Sequence, residues 1–87
     1  MDYVVYMLHC PEMDILYKGY TQDIETRLRD HNSGKSKYTK KCSPNWVVVF
    51  MRTFESKTEA LQYEHMLKRQ NRGYLEWVIQ QPYNEAR

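Results

Sequence analysis

Tyr3-Val4-Val5-Tyr6-Met7-Leu8, the turn residues Cys10-Pro11-Glu12-Met13-Asp14 and a second apolar run over residues 15–20 decide how this chain begins. β-Branched and aromatic residues dominate both runs, which predicts two strands joined as a hairpin with a longer loop. Side chains alternate across a strand, so Val4, Tyr6 and Leu8 share one face while Val5 and Met7 take the other. Tyr17 and Gly19 likewise share a face, with Lys18 opposite. A loop centred between Pro11 and Glu12 would set Tyr6 opposite Tyr17.

Downstream of the hairpin, Thr21 is the expected N-cap of a helix running to about His31, with Asp23 and Glu25 near its positive end. Ile24 and Leu28 point inward, and Arg27 and His31, four apart, lie along one side. Asn32-Ser33-Gly34 stops the helix, Gly34 being free to take the left-handed conformation such ends require. Lys35-Ser36-Lys37-Tyr38-Thr39-Lys40-Lys41 reads as a polar basic loop. After Pro44, Trp46-Val47-Val48-Val49-Phe50 predicts a third strand buried on both faces. Ser56-Lys57-Thr58-Glu59 is a capping box, opening a helix that runs to about Lys68. Asn71 is the expected cap of a third helix over residues 72–81, with Leu75, Val78 and Ile79 as its apolar stripe. Residues 82–87 read as a loose tail. The order β-β-α-β-α-α describes a small α+β domain.

Eighty-seven residues leave room for one domain, and 41% apolar with 28% charged residues is an ordinary balance for a soluble protein. No apolar run approaches the ~18 residues of a membrane span. Met1-Asp2-Tyr3 lacks the basic and apolar regions of a signal peptide, which predicts a cytoplasmic protein. Cys10 and Cys42 build neither a disulfide framework nor a zinc site and are expected as free thiols. Charge is unevenly spread. Residues 1–34 carry three basic and six acidic side chains, whereas residues 35–72 carry nine basic and three acidic. A basic middle suits a phosphate-rich partner as well as it suits a solvated surface.

Three features bear on chemistry. Glu64 sits on the second helix among Ala60, Leu61, Leu67 and Lys68, where an unpaired carboxylate is costly. A salt bridge to Arg27 or Lys68, a tilt to the rim, or a bound cation would each resolve it. Arg27 can grip phosphate through its fixed fork, and His31 can accept a proton near neutral pH. Tyr6 and Tyr17 fit core packing, and either needs help to act as a base because free tyrosine ionises near ~10.

Val4-Val5-Tyr6, Tyr17-Lys18-Gly19, Arg27, His31 and Glu64, in this order and on these elements, resemble the GIY-YIG nuclease domain. Tyr17-Lys18-Gly19-Tyr20-Thr21, the run from Arg27 to Gly34, residues 35–41, and Glu55-Ser56-Lys57-Thr58-Glu59-Ala60 are similar to its small stand-alone bacterial members. The resemblance spans the chain and implies that residues 1–87 form a single GIY-YIG-like nuclease domain. Its implied fold is a three-stranded antiparallel sheet flanked by helices, as in the N-terminal cleavage domain of an excinuclease.

The function implied is metal-dependent endonucleolytic hydrolysis of DNA, in repair or recombination, with RNA as a further partner class. Tyr6 and Tyr17 would be the two motif tyrosines, with Tyr6 activating water and His31 orienting its proton. Arg27 would bind the scissile phosphate, and Glu64 would hold a single Mg²⁺ or Mn²⁺. Lys18, Lys35, Lys37, Lys40, Lys41 and Lys68 would track the nucleic-acid backbone, with Tyr38 available for stacking. Val4 departs from the motif's first glycine and Lys18 from its isoleucine. Some members add a late asparagine, for which Asn84 is a weak match. The alternative is a non-catalytic nucleic-acid-binding module, or one component of a larger nuclease complex whose protein partner supplies specificity. A protein–protein interaction domain that kept the fold is a third reading.

Overall fold

A computed structural model describes residues 2–35 and 37–86; Ser36 of the expected basic loop and Arg87 of the expected tail lie outside the described residues. The chain runs through strands β1 (Tyr3–Cys10) and β2 (Ile15–Thr21), helix α1 (Ile24–Asn32), a short 3₁₀ turn over Lys40–Cys42, strand β3 (Val47–Phe54), and helices α2 (Lys57–Lys68) and α3 (Arg72–Ile79). The sheet is antiparallel throughout in the order β2-β1-β3, so β1 is central. The predicted α+β order β-β-α-β-α-α is the observed one.

The alternation in β1 separates two cores. Val5 and Met7 pack with Phe50, Ala60, Leu67, Leu75 and Val78 beneath α2 and α3. Tyr6, Leu8 and Cys10 pack with Cys42 and Trp46 on the other face, where Ile24 and Leu28 of α1 close the layer. A bulge between Met7 and Leu8 lets Met7 pair with Phe50 and Leu8 with Val48. The extra residue reverses the parity of β3, so Phe50 enters one core and Val48 the other.

Several expectations need correction. Tyr6 pairs with Gly19, and Tyr17 with Leu8. The hairpin turns between Glu12 and Met13, helped by Asp14 in the left-handed region at φ 51°. The N-cap of α1 is Asp23, whose carboxylate accepts from Thr26 N–H; the Thr21 hydroxyl instead accepts from Asp23 N–H at 3.1 Å. β3 is an edge strand, with Val47 half exposed, rather than a strand buried on both faces. Cys10 and Cys42 form a disulfide with Cα atoms 6.1 Å apart, so they are not free thiols. It ties the end of β1 to the 3₁₀ turn.

The tail is docked rather than loose. The Asn84 side chain accepts from Met51 N–H at 3.1 Å and donates to Val49 and Ile79 carbonyls at 2.9 and 2.8 Å. Glu85 N–H donates to the Met51 carbonyl, and its carboxylate accepts from Thr53. These contacts satisfy part of the outer edge of β3, which would otherwise be open to another strand. Asn84 is thereby a structural clamp. Among the described residues, no helix is long and apolar enough to cross a membrane.

Candidate nucleic-acid interface

The candidate catalytic residues converge only in part. Tyr6 and Tyr17 have ring centroids 6.4 Å apart, and the His31 ring stands edge-on to Tyr17 at 5.0 Å. The Tyr6 hydroxyl is 3.1 Å from His31 Nε2, and His31 Nδ1 is 2.7 Å from the Thr39 hydroxyl. A neutral imidazole donates at one nitrogen and accepts at the other, so both contacts are made at once. Trp46 Nε1 then donates to the Thr39 carbonyl at 2.7 Å. Tyr6, His31 and Thr39 are buried, and this chain of contacts locks β1, α1 and the loop before β3 together.

Burial, reinforced by Tyr17, pushes the Tyr6 phenol far above its ordinary value; Arg27 opposes the shift and Glu64 adds to it. His31 is held below its usual range by burial and then by Arg27. Burial thus favours the neutral phenol at Tyr6 and the neutral imidazole at His31. Arg27 stands exposed on α1 and influences this cluster through its field. Glu64 is buried, its carboxylate 3.6 Å from the Lys68 ammonium and 3.9 Å from His65 Nε2. Of the resolutions open in the sequence, the Lys68 ion pair is the observed one. Among the described residues no three His, Cys, Asp or Glu side chains gather where they could hold a metal ion. The Glu64 carboxylate is already paired with the Lys68 ammonium, and among those residues no group of three such donors stands with it to hold Mg²⁺ or Mn²⁺.

A different constellation lies along the outer edge of β2. Because the groove straddles an edge strand, both strand faces line it: Tyr17 from one, Leu16 and Lys18 from the other. Tyr38 and Lys68 complete a space of about 450 Å³. It continues past Lys41 and Trp46 to Arg72 at the start of α3. Tyr38 is 65% exposed, with its ring 5.5 Å from Tyr17 and the Lys41 ammonium 5.0 Å from its centroid. Burial, and then the Lys68 charge, hold the Lys18 ammonium below its ordinary value. Lys37 and Lys40 are exposed on the loop, and Lys35, also exposed, lies 3.7 Å from Asp30.

Leu16, Trp46 and Arg72 were absent from the expected interface. Arg72 also reaches Asp14 at 2.6 Å and Glu76 at 3.1 Å, fastening α3 to the hairpin tip. Its separation of 58 residues from Asp14 left no local signal. Thr39 looked like one more polar loop residue, and nothing near it in sequence marks it as the partner of His31.

The family described as the GIY-YIG catalytic domain matches residues 2–85. Similar proteins include a UPF0213 protein of Natronomonas pharaonis, 38% identical over 79 residues, covering 90% of this chain and 91% of the relative. The UPF0213 protein YazA of Bacillus subtilis is 34% identical over 84 residues, covering 95% and 83%. The solution NMR structure of the UPF0213 protein BH0048 from Bacillus halodurans superposes with a TM-score of 0.61 at 33% identity, covering 99% of this chain and 90% of that one. A GIY-YIG-like fold is generally associated with nucleic-acid interaction. The relatives are UPF0213 proteins, and among the described residues no group of metal donors stands at Glu64; these two findings correct the expected metal-dependent endonuclease, its hydrolase chemistry and its Mg²⁺ or Mn²⁺ cofactor. Fold similarity does not carry chemistry with it.

Proposed function

Because the chain belongs to the UPF0213 family of GIY-YIG-fold proteins, we propose that it is a non-catalytic nucleic-acid-binding module with DNA as its principal partner. One observation carries the reading: Lys18, Lys41, Lys68 and Arg72 border one groove whose wall includes the exposed ring of Tyr38. Cations around an aromatic surface suit a polyanion whose monomers also have flat faces. Lys35, Lys37 and Lys40 extend the positive surface along the neighbouring loop. Residues 1–87 act as one domain, working in the cytoplasm. Site choice comes from a protein partner, since a net charge of +2 supports only a weak grip.

Fluorescence anisotropy with labelled DNA over a salt series tests this. Affinity should fall as salt rises, with a log–log slope of about −2 to −4 for three or four phosphate contacts. The double substitution Lys18→Ala with Lys68→Ala should make that slope shallower. Binding that ignores salt, or the absence of binding at low salt, would overturn the proposal.

A further inference from the structure

Tyr17 and Tyr38 meet at 43° with centroids 5.5 Å apart, a wedge of two tilted rings on the wall of the groove. The inner wall is firmly held: Tyr17 is braced edge-on by His31 at 5.0 Å and by Trp46 at 6.3 Å. The outer wall, Tyr38, lies largely in water, covered on one side by the Lys41 ammonium. The rim has an unusual charge pattern. Lys18 is half buried, yet among the described residues no carboxylate pairs with it, and the charged neighbour acting on it is Lys68. Lys68 is shared with Glu64 at 3.6 Å, so among the described residues Lys18 is the cation on this rim with no carboxylate against it, and an anion in the groove would meet it there. The groove's volume of about 450 Å³ falls within the ~300–1,000 Å³ of small-molecule pockets, room for a base and its sugar.

From this geometry, and resting on the nucleic-acid-binding reading above, we propose that the Tyr17–Tyr38 wedge takes an unpaired nucleobase, so that the protein prefers single-stranded polynucleotide to duplex. In a duplex both faces of each base are covered by stacked neighbours, and none is free to enter a wedge. In a single strand the base inserts against Tyr38, which every base can do because each has a π-face. The flanking phosphates then lie against Lys18 and Lys68 on one side and Lys41 on the other. The charge supplies grip and the wedge supplies the distinction between single and double strands.

The test is anisotropy at fixed low salt with oligo-dT and oligo-rU of about 12 nucleotides, and with a DNA duplex of equal length. The proteins compared are wild type, Tyr38→Ala and Tyr38→Phe. Wild type should bind the single strands about tenfold more tightly than duplex. Tyr38→Ala should lose most of its single-strand affinity and with it the preference, the loss on duplex being the smaller, and Tyr38→Phe should retain the preference. Tyr38 is exposed, so its truncation leaves the cores intact. Both single strands should show the preference, because stacking does not read the 2′-hydroxyl. Equal affinity of wild type for single strand and duplex would overturn the wedge and leave the binding module standing. So would equal losses on both substrates in Tyr38→Ala. Failure of wild type to bind any of the three would overturn both.

Discussion

The Tyr6 phenol lies over the backbone of Gly19, its pairing partner on β2, so closely that a Cβ at Gly19 would come within 2.6 Å of the hydroxyl oxygen and 2.8 Å of Cζ. The glycine of the Tyr17-Lys18-Gly19 motif is therefore required by a ring on the next strand. Tyr6 is almost fully buried and held by His31, so the ring has nowhere to retreat. Gly19→Ala should lower stability by about 2–3 kcal/mol through overpacking, read as a shift of the urea midpoint. Combining it with Tyr6→Leu, which removes the ring, should cost at least about 0.5 kcal/mol less than the two changes summed. Strict additivity would show that the close approach is not what Gly19 serves.

His31 makes stability depend on pH. Folding holds it neutral, through burial first and Arg27 second, and lowers its pKa below the ordinary 6.5. Between the folded and unfolded values the unfolded chain binds more protons, so stability rises with pH there. The contribution is complete above about pH 6.5 and is lost as pH falls toward the folded value. Urea midpoints should therefore drop between about pH 7.5 and about pH 5.5 in the wild type. In His31→Gln the drop should be smaller. Equal drops would assign the pH dependence to other groups.

The disulfide links residues 32 apart, and a loop of that length corresponds to about 3–4 kcal/mol of lost unfolded-state entropy. Dithiothreitol should lower the urea midpoint accordingly, and a Cys10→Ser, Cys42→Ser variant should sit at the reduced midpoint whether or not reductant is present. If reductant shifts that variant as well, the effect comes from elsewhere.

Asn84 makes three hydrogen bonds to β3 and α3 while almost fully buried. Asn84→Ala strands Met51 N–H and two carbonyls, and should cost about 2–4 kcal/mol. It should also uncover the edge of β3 and raise light scattering on storage. Unchanged stability and monodispersity would mean the tail is not a clamp.

What was legible in the sequence is what depends on neighbours along the chain. The period of two in β1 assigned Tyr6 and Leu8 to one core and Val5 and Met7 to the other. The Ser56–Glu59 box and the Asn71 cap fixed the starts of α2 and α3, because capping is settled within four residues. The hairpin register was displaced by two residues, since a turn carrying Asp14 at positive φ is not specified by composition. The tail clamp, the bulge in β3 and the Cys10–Cys42 bridge join residues about thirty positions apart or depend on pairing, and left no local trace. At the site, the motif tyrosines, Arg27, His31 and Glu64 were legible as a pattern. Their chemistry was not, because it depends on burial and on which charges face them. The i,i+4 pair of Glu64 and Lys68 was local enough to be foreseen as one of three possibilities.

Glu64 separates the binding reading from the metal-dependent one most sharply. Its carboxylate lies 3.6 Å from Lys68 and cancels part of the charge that the groove offers to phosphate. Glu64→Gln keeps the side-chain shape, frees Lys68 and removes one negative charge from beside the groove. In a binding module this should raise affinity for DNA about two- to fivefold at low salt, with a steeper salt dependence, because one more cation becomes available to displace counterions. Mg²⁺ should act only as a competing counterion, weakening DNA binding in both proteins and somewhat more in Glu64→Gln. It should shift the thermal midpoint of the unliganded wild type no more than that of Glu64→Gln. A carboxylate serving as a metal ligand would give the opposite pattern. Mg²⁺ would stabilise the wild type selectively, as any ligand specific to the folded state does, and the substitution would abolish that shift. Thermal melts with Mg²⁺ and with chelator, run beside DNA titrations of both proteins, distinguish the two outcomes directly.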